Sequence, residues 1–207
     1  MKLNFEKDIL NKATTLLKKI GLGEDEILRV FCVCKTLSIY KGDYFLQEGK
    51  LSDKIGLLLN GVLYAFNTNE TGEKNISRFF YSPENIIVAS FESFVTGSKS
   101  EETIECFEDA NLIVISKADL YKLYDEIPKL NSVGRLLAED SYIKALKKIK
   151  ILQSKNASER IDILMSQSPE LFLRLPLSYI ASYLGMHRNT YNKAIESNFR
   201  KMHKSVH

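Results

Sequence analysis

Residues 175–201 read LPLSYIASYLGMHRNTYNKAIESNFRK. Ser178 is placed to cap a first helix over 179–184, in which Ile180, Ala181 and Leu184 fall on one face. Gly185 permits a tight turn, and Met186 begins the packing of a second helix. The small side chain of Ala181 lets the two helices approach closely. On the second helix Tyr191, Ala194 and Ile195 form the inward set, while Arg188, Asn189, Asn192 and Lys193 share the opposite side through their one- and four-residue spacing. A glycine turn, a small residue before it, an apolar residue after it and a polar helix start are jointly what a helix-turn-helix requires.

The outward side chains suit base reading. The planar fork of Arg takes both acceptors of guanine, Asn pairs bidentately with adenine, and Lys reaches guanine or phosphate. Ser178, His187 and Thr190 complete the candidate DNA-binding set; His187, before the second helix, is within reach of a phosphate, but simple solvent exposure is the commoner outcome for such a residue. A polar helix face is more often solvated surface, and it is the combination with the turn glycine and the apolar set that favours DNA.

Charge along the chain points the same way. Residues 1–125 carry 15 Lys+Arg against 19 Asp+Glu, whereas residues 126–207 carry 14 against 7, so the C-terminal part is the one suited to a polyanion. Between the two lies a helical pattern from about Pro128 to Gln153, with Leu130, Val133, Leu137, Ile143, Leu146, Ile149 and Leu152. At 1.5 Å per residue such a helix is about 37 Å long and has more apolar positions than one packed face needs. It is expected to pair with a second copy of itself, the alternative being a connector resting on its own domain. Ser154–Ser158 then marks a boundary, with Asn156 or Ser158 able to cap a helix that runs to Gln167 and stops before Pro169.

Towards the N-terminus the period changes. Short apolar runs (36–40, 44–47, 55–59, 62–67, 76–81, 103–107 and 112–116) alternate with turn signals at Lys41-Gly42-Asp43, Asn60-Gly61, Asn69 to Gly72 and Ser82-Pro83. Closely spaced short strands indicate a sandwich or barrel, of which the jelly roll is one version. Amphipathic helices are expected over 5–20 and 24–32 before the strands begin. No apolar run approaches the ~18–20 residues that span a bilayer, and the start MKLNFEKDILNK is charged where a secretory signal has its apolar centre. With only Cys32, Cys34 and Cys106, expected as free thiols, a cytoplasmic location and no membrane association follow as expectations. Cys32 and Cys34 are expected in the core.

Two stretches resemble the Crp/Fnr family of transcription regulators, and the resemblance extends over nearly the whole chain. KGDYFLQEGKLSDKIGLLLNGVLYAF, residues 41–66, is similar to the family's first β-roll strands. PLSYIASYLGMHRNTYNKA, residues 176–194, is similar to its helix-turn-helix. The resemblance implies an α+β chain: an N-terminal double-stranded β-helix (jelly-roll, cyclic-nucleotide-binding-like) sensor domain over 1–127, a dimerisation helix over 128–154 and a winged helix-turn-helix over 155–207. It implies a bacterial homodimer that binds double-stranded DNA at a near-palindromic operator, with RNA polymerase as a further partner. Arg188, Asn189 and Lys193 stand where relatives often place Arg, Glu and Arg. Asn prefers adenine where Glu accepts from cytosine, so a different operator is implied.

The sensor pocket departs from the family pattern. In ENIIVASFESFVTGSKSEETIE, residues 84–105, Val88-Ala89-Ser90 lies where cyclic-nucleotide-binding members have Gly-Glu, and Glu101-Glu102-Thr103 where they have Arg-Ser/Thr-Ala. An acidic pair repels a cyclic phosphate, and Lys99, the one cation between Arg78 and Lys117, is a poor substitute for a bidentate fork. Cyclic AMP in the usual mode is therefore not expected, and the effector, if one exists, is not identified. The three cysteines do not make an iron–sulfur ligand set. His187, His203 and His207 all lie outside the β-rich half, which leaves no haem ligand or metal-cupin site there. No cofactor, metal or catalytic residue is expected, and the chain is read as a non-enzyme. Phe79, Phe80, Tyr81, Phe91 and Phe94 are expected to fill the β-roll core in preference to lining a pocket. The alternative to a DNA-binding regulator is a ligand- or protein-interaction module on the same fold.

Overall fold

The computed structural model describes residues 11, 14, 15, 17–19, 21–154 and 156–204, with side chains to Glu196. Most of the helix expected over 5–20 lies outside the described residues. The elements are α1 (Glu24–Val33), β1 (Lys35–Ile39), β2 (Tyr44–Leu46), β3 (Lys54–Thr68), β4 (Lys74–Tyr81), β5 (Ile87–Val88), α2 (Phe91–Thr96), β6 (Thr103–Ser116), α3 (Lys117–Glu126), α4 (Lys129–Gln153), α5 (Ala157–Gln167), α6 (Pro169–Arg174), α7 (Leu177–Tyr183) and α8 (Arg188–Lys204). They form two compact units, Met1–Asn67 with Phe79–Ala138, and Thr68–Arg78 with Glu139–His207.

The first unit holds an antiparallel sheet in the order β1-β6-β3-β4, with β2 also on β6 and β5 on β3. Four of the expected short strands are two long ones. Asn60-Gly61, read from sequence as a turn, is a bulge inside β3, where the register against β6 shifts between Leu58 and Leu63. Gly61 has φ +91°, and a Cβ there would stand 2.5 Å from the Ala110 Cβ, so the bulge admits only glycine. The bulge divides both long strands: Lys54–Asn60 pairs with Asn111–Ser116, and Leu63–Phe66 with Thr103–Cys106. One apolar cluster draws on both halves, including Ile39, Phe45, Leu58, Leu63, Phe80, Ile104 and Leu112. Phe79, Phe80, Tyr81 and Phe94 are buried and Phe91 partly so, as core filling requires.

The true turns follow their signals. Gly42 (φ +90°) turns β1 into β2, and Asn69 Oδ1 accepts from the amides of Thr71 and Glu73 to close the β3–β4 hairpin. Cys34 is half-buried and Cys106 fully buried; burial first, then Asp119 beside Cys34 and Asp109 and Asp43 beside Cys106, pushes each thiol up to about 11. Cys32 is exposed, against its expected place in the core, because α1 turns that position outward between its half-buried neighbours Phe31 and Val33.

In the second unit α5 packs on α8, α7 on α8, and α6 joins α5 to α7. Asn156 caps α5, accepting from the Glu159 amide at 2.9 Å. Pro169 ends that helix and starts α6, a short helix that the sequence pattern did not reveal, because proline needs no amide partner at a first helical position. Among the described residues no strand follows Ser116, so the helix-turn-helix carries no hairpin wing there; residues 188–204 stay helical. No helix among the described residues is long and apolar enough to cross a membrane.

Candidate nucleic-acid interface

The helix-turn-helix is built from α7 and α8. Ile180, Ala181, Leu184, Tyr191 and Ala194 are buried, and burial pushes the Tyr191 phenol pKa up. The turn is a Schellman motif: Gly185 (φ +64°) donates its amide to the Ser182 carbonyl, and Met186 donates to the Ala181 carbonyl, both at 3.0 Å. A Cβ on Gly185 would meet Leu152 of α4 at 3.1 Å, so the same glycine lets the turn lie against that helix.

Ser178, His187, Arg188, Asn189, Thr190, Asn192 and Lys193 are all exposed. The last six cluster at the start of α8, and Ser178 sits near the start of α7. Ser178 does not cap α7. The helix begins one residue earlier, after Pro176, whose carbonyl accepts from Tyr179 and Ile180, and Ser178 is its second residue. His187 takes the capping place on α8: its Nδ1 accepts from the Asn189 amide at 3.3 Å, and its carbonyl from Tyr191 at 3.1 Å. That bond leaves Nε2 as the protonated nitrogen of the neutral ring. The amino end of α8 thus collects free amides, a favourable dipole and the Arg188 charge, the combination that attracts phosphate.

Three residues that sequence reasoning missed hold this motif. Ser182 donates from Oγ to the Lys74 carbonyl at 2.8 Å and accepts from the Ile76 amide at 3.0 Å, tying the 68–78 hairpin to α7. At the same carboxyl end of α7, Arg160 Nη1 donates to the Leu184 carbonyl at 3.1 Å, and Lys148 Nζ donates to the Tyr183 carbonyl while lying 3.0 Å from the Tyr183 ring centroid. Two N–H donors, one of them the Arg160 guanidinium, therefore meet the carbonyl end of the helix, where its dipole favours positive charge. Burial drives the Lys148 pKa down to about 6. Nothing in the run KALKKIK distinguishes Lys148 from Lys147 or Lys150, and a single serine in a helix is an equally weak signal.

The long helix α4 exposes Leu136, Tyr142, Ile143, Leu146, Ile149 and Leu152, each between 37% and 65% of its surface. In the β-roll, Val88 and Ala89 are fully buried where a nucleotide-binding cassette would present Gly-Glu, and Glu101 is exposed. Lys117 donates to the Val95 carbonyl at 3.3 Å and lies over the Phe94 and Tyr121 rings.

No protein-family model and no curated protein matches the chain. Solved structures do. A CooA double mutant from Carboxydothermus hydrogenoformans superposes with TM-score 0.66 at 17% identity, over 84% of this chain and 79% of that one. A protein assigned to the Crp/Fnr family of transcriptional regulators, from Eubacterium rectale, gives 0.65 at 16% identity over 87% and 85%. CLP, a c-di-GMP-responsive global regulator of Xanthomonas campestris, gives 0.64 at 12% identity over 86% and 93%. The chain has the fold of the Crp/Fnr regulators.

Proposed function

We propose that the chain is a sequence-specific DNA-binding transcription regulator that acts as a two-fold dimer. The observation that carries this reading is α8, which buries Tyr191 and Ala194 against its partner helices while Arg188, Asn189, Asn192 and Lys193 stand exposed beside its amino end. Arg188 reads guanine, Asn189 adenine, and Lys193 guanine or phosphate; Ser178, His187 and Thr190 hold the backbone. The exposed apolar side of α4 supports dimerisation, which places two recognition helices in successive major grooves about 34 Å apart. RNA polymerase is the further partner that regulation of transcription requires. Three free cysteines fit a cytoplasmic setting. The effector is not cyclic AMP in the usual mode, because Glu101 and Glu102 stand where a phosphate-binding Arg is needed.

The test is Arg188→Ala measured against a panel of single-base operator variants. A loss of about 1–3 kcal/mol confined to one base position per half-site is expected. A uniform loss across the panel contradicts base reading by Arg188.

A further inference from the structure

The turn that aims α8 is held from α4. Lys148 projects from α4 onto the last turn of α7, where its Nζ donates to the Tyr183 carbonyl and rests on the Tyr183 ring. Arg160, from α5, takes the adjacent Leu184 carbonyl. Gly185 follows immediately, with Leu152 of α4 against it. The chain reverses here through two backbone bonds, Gly185 to Ser182 and Met186 to Ala181, and α8 begins at Arg188. Among the described residues, Lys148 has the Tyr183 ring and carbonyl as its polar contacts and no carboxylate partner. A half-buried lysine without a counter-ion is an unfavourable choice for packing alone, because it must either desolvate its charge or give up its proton, whereas methionine fills similar space at neither cost.

We propose that Lys148 is a positioning residue for DNA reading: it fixes the helix-turn-helix to α4 and so sets the separation at which two copies present their recognition helices. The inference rests on the dimeric DNA-binding reading, since α4 is the helix through which two copies are taken to pair. Lys148 touches no base in this account. It acts through the turn, holding Tyr183 so that α8 leaves Gly185 in one direction relative to α4. The consequence is geometric. A loosened tie leaves each helix-turn-helix able to read its own half-site but removes the preference for one spacing between half-sites.

The experiment uses the full chain and duplexes carrying two selected half-sites with the spacer lengthened or shortened by one base pair. Wild type is expected to lose about tenfold or more in affinity off its preferred spacing, because one base pair both shifts and rotates the second half-site. In Lys148→Met that discrimination is expected to fall below about threefold, with affinity for a single half-site duplex unchanged within about twofold. Lys148→Arg, which keeps an N–H donor for the carbonyl, is expected to retain most of the discrimination. A merely structural role would weaken single and paired sites together. Amide exchange supplies a readout without DNA: protection at Gly185 and Met186 is expected to fall in Lys148→Met while that of the β6 amides is unchanged. Unchanged spacing discrimination in a folded Lys148→Met overturns the proposal. If wild type binds no duplex, the DNA-binding reading fails by itself, and unchanged exchange at Gly185 and Met186 would then also remove the tie.

Discussion

The hydroxyl of Ser182, on the first helix of the helix-turn-helix, donates to the carbonyl of Lys74, at the tip of a hairpin whose strands run back into the β-roll. The same oxygen accepts from the Ile76 amide, and Ile76 itself is buried. Ser182→Ala removes both bonds and strands a part-buried amide, so a loss of about 1–2 kcal/mol is expected in urea unfolding. Amide exchange at Ile76 is expected to rise with it. A change below ~0.3 kcal/mol would mean that the hairpin is held by other contacts.

Gly61→Ala is expected to be among the most damaging single-methyl changes in the β-roll. It puts a Cβ at φ +91° and within 2.6 Å of Ala110 and the Asp109 carbonyl. Strain and overpacking together should cost about 2–4 kcal/mol. Ala110→Gly in the same chain should restore only the Cβ–Cβ part of the clash, since the contacts with the Ala110 Cα and the Asp109 carbonyl and the backbone strain remain. Thermal unfolding of the single and double variants measures both parts.

That bulge also shows where sequence reading stops. Asn60-Gly61 between two apolar runs has the local chemistry of a hairpin turn, and only Asp109 and Ala110, about fifty residues away, make it a bulge in a continuous strand. By contrast, Gly185 and the spacing of Ile180, Ala181, Leu184, Tyr191 and Ala194 carry their meaning locally, and the helix-turn-helix was legible to within a residue or two. Its cap was not: Ser178 looked like one, but Pro176 opens the helix first. Lys148, Arg160 and Ser182 were invisible because each acts on a backbone group of a distant segment, and a backbone carbonyl leaves no mark in a sequence.

Lys148 makes stability depend on pH in a defined window. Its folded pKa lies near 6, whereas the unfolded side chain keeps the ordinary value of 10.5. Between those values the unfolded chain holds a proton that the folded chain lacks, so this residue's contribution makes the fold more stable as pH rises and less stable as it falls towards 6. Lys148→Met removes the dependence. Its stability relative to wild type is expected to be highest at pH 6 and to decline steadily to pH 9 in denaturant titrations. Parallel curves for the two proteins across that range would show that Lys148 does not titrate there.

The apolar side of α4 yields a prediction about assembly. Ile143 and Ile149 are each about half exposed in the single chain, so replacing both with Asp costs the monomer little packing. A dimer seam there would instead bury two carboxylates per chain. The double variant is expected to sediment as a monomer with unchanged helical content and to lose its affinity for paired half-sites. A variant that stays dimeric would place the interface elsewhere.

Selection of bound duplexes from a random DNA pool by the purified chain, followed by a salt titration on the winner, bears on the whole reading at once. A near-palindromic consensus should emerge, with half-site centres one helical turn or about 34 Å apart and affinity falling steeply with salt as phosphate counterions are released. No enrichment, even at low salt, would contradict DNA recognition by the isolated protein and favour an interaction module built on the same fold.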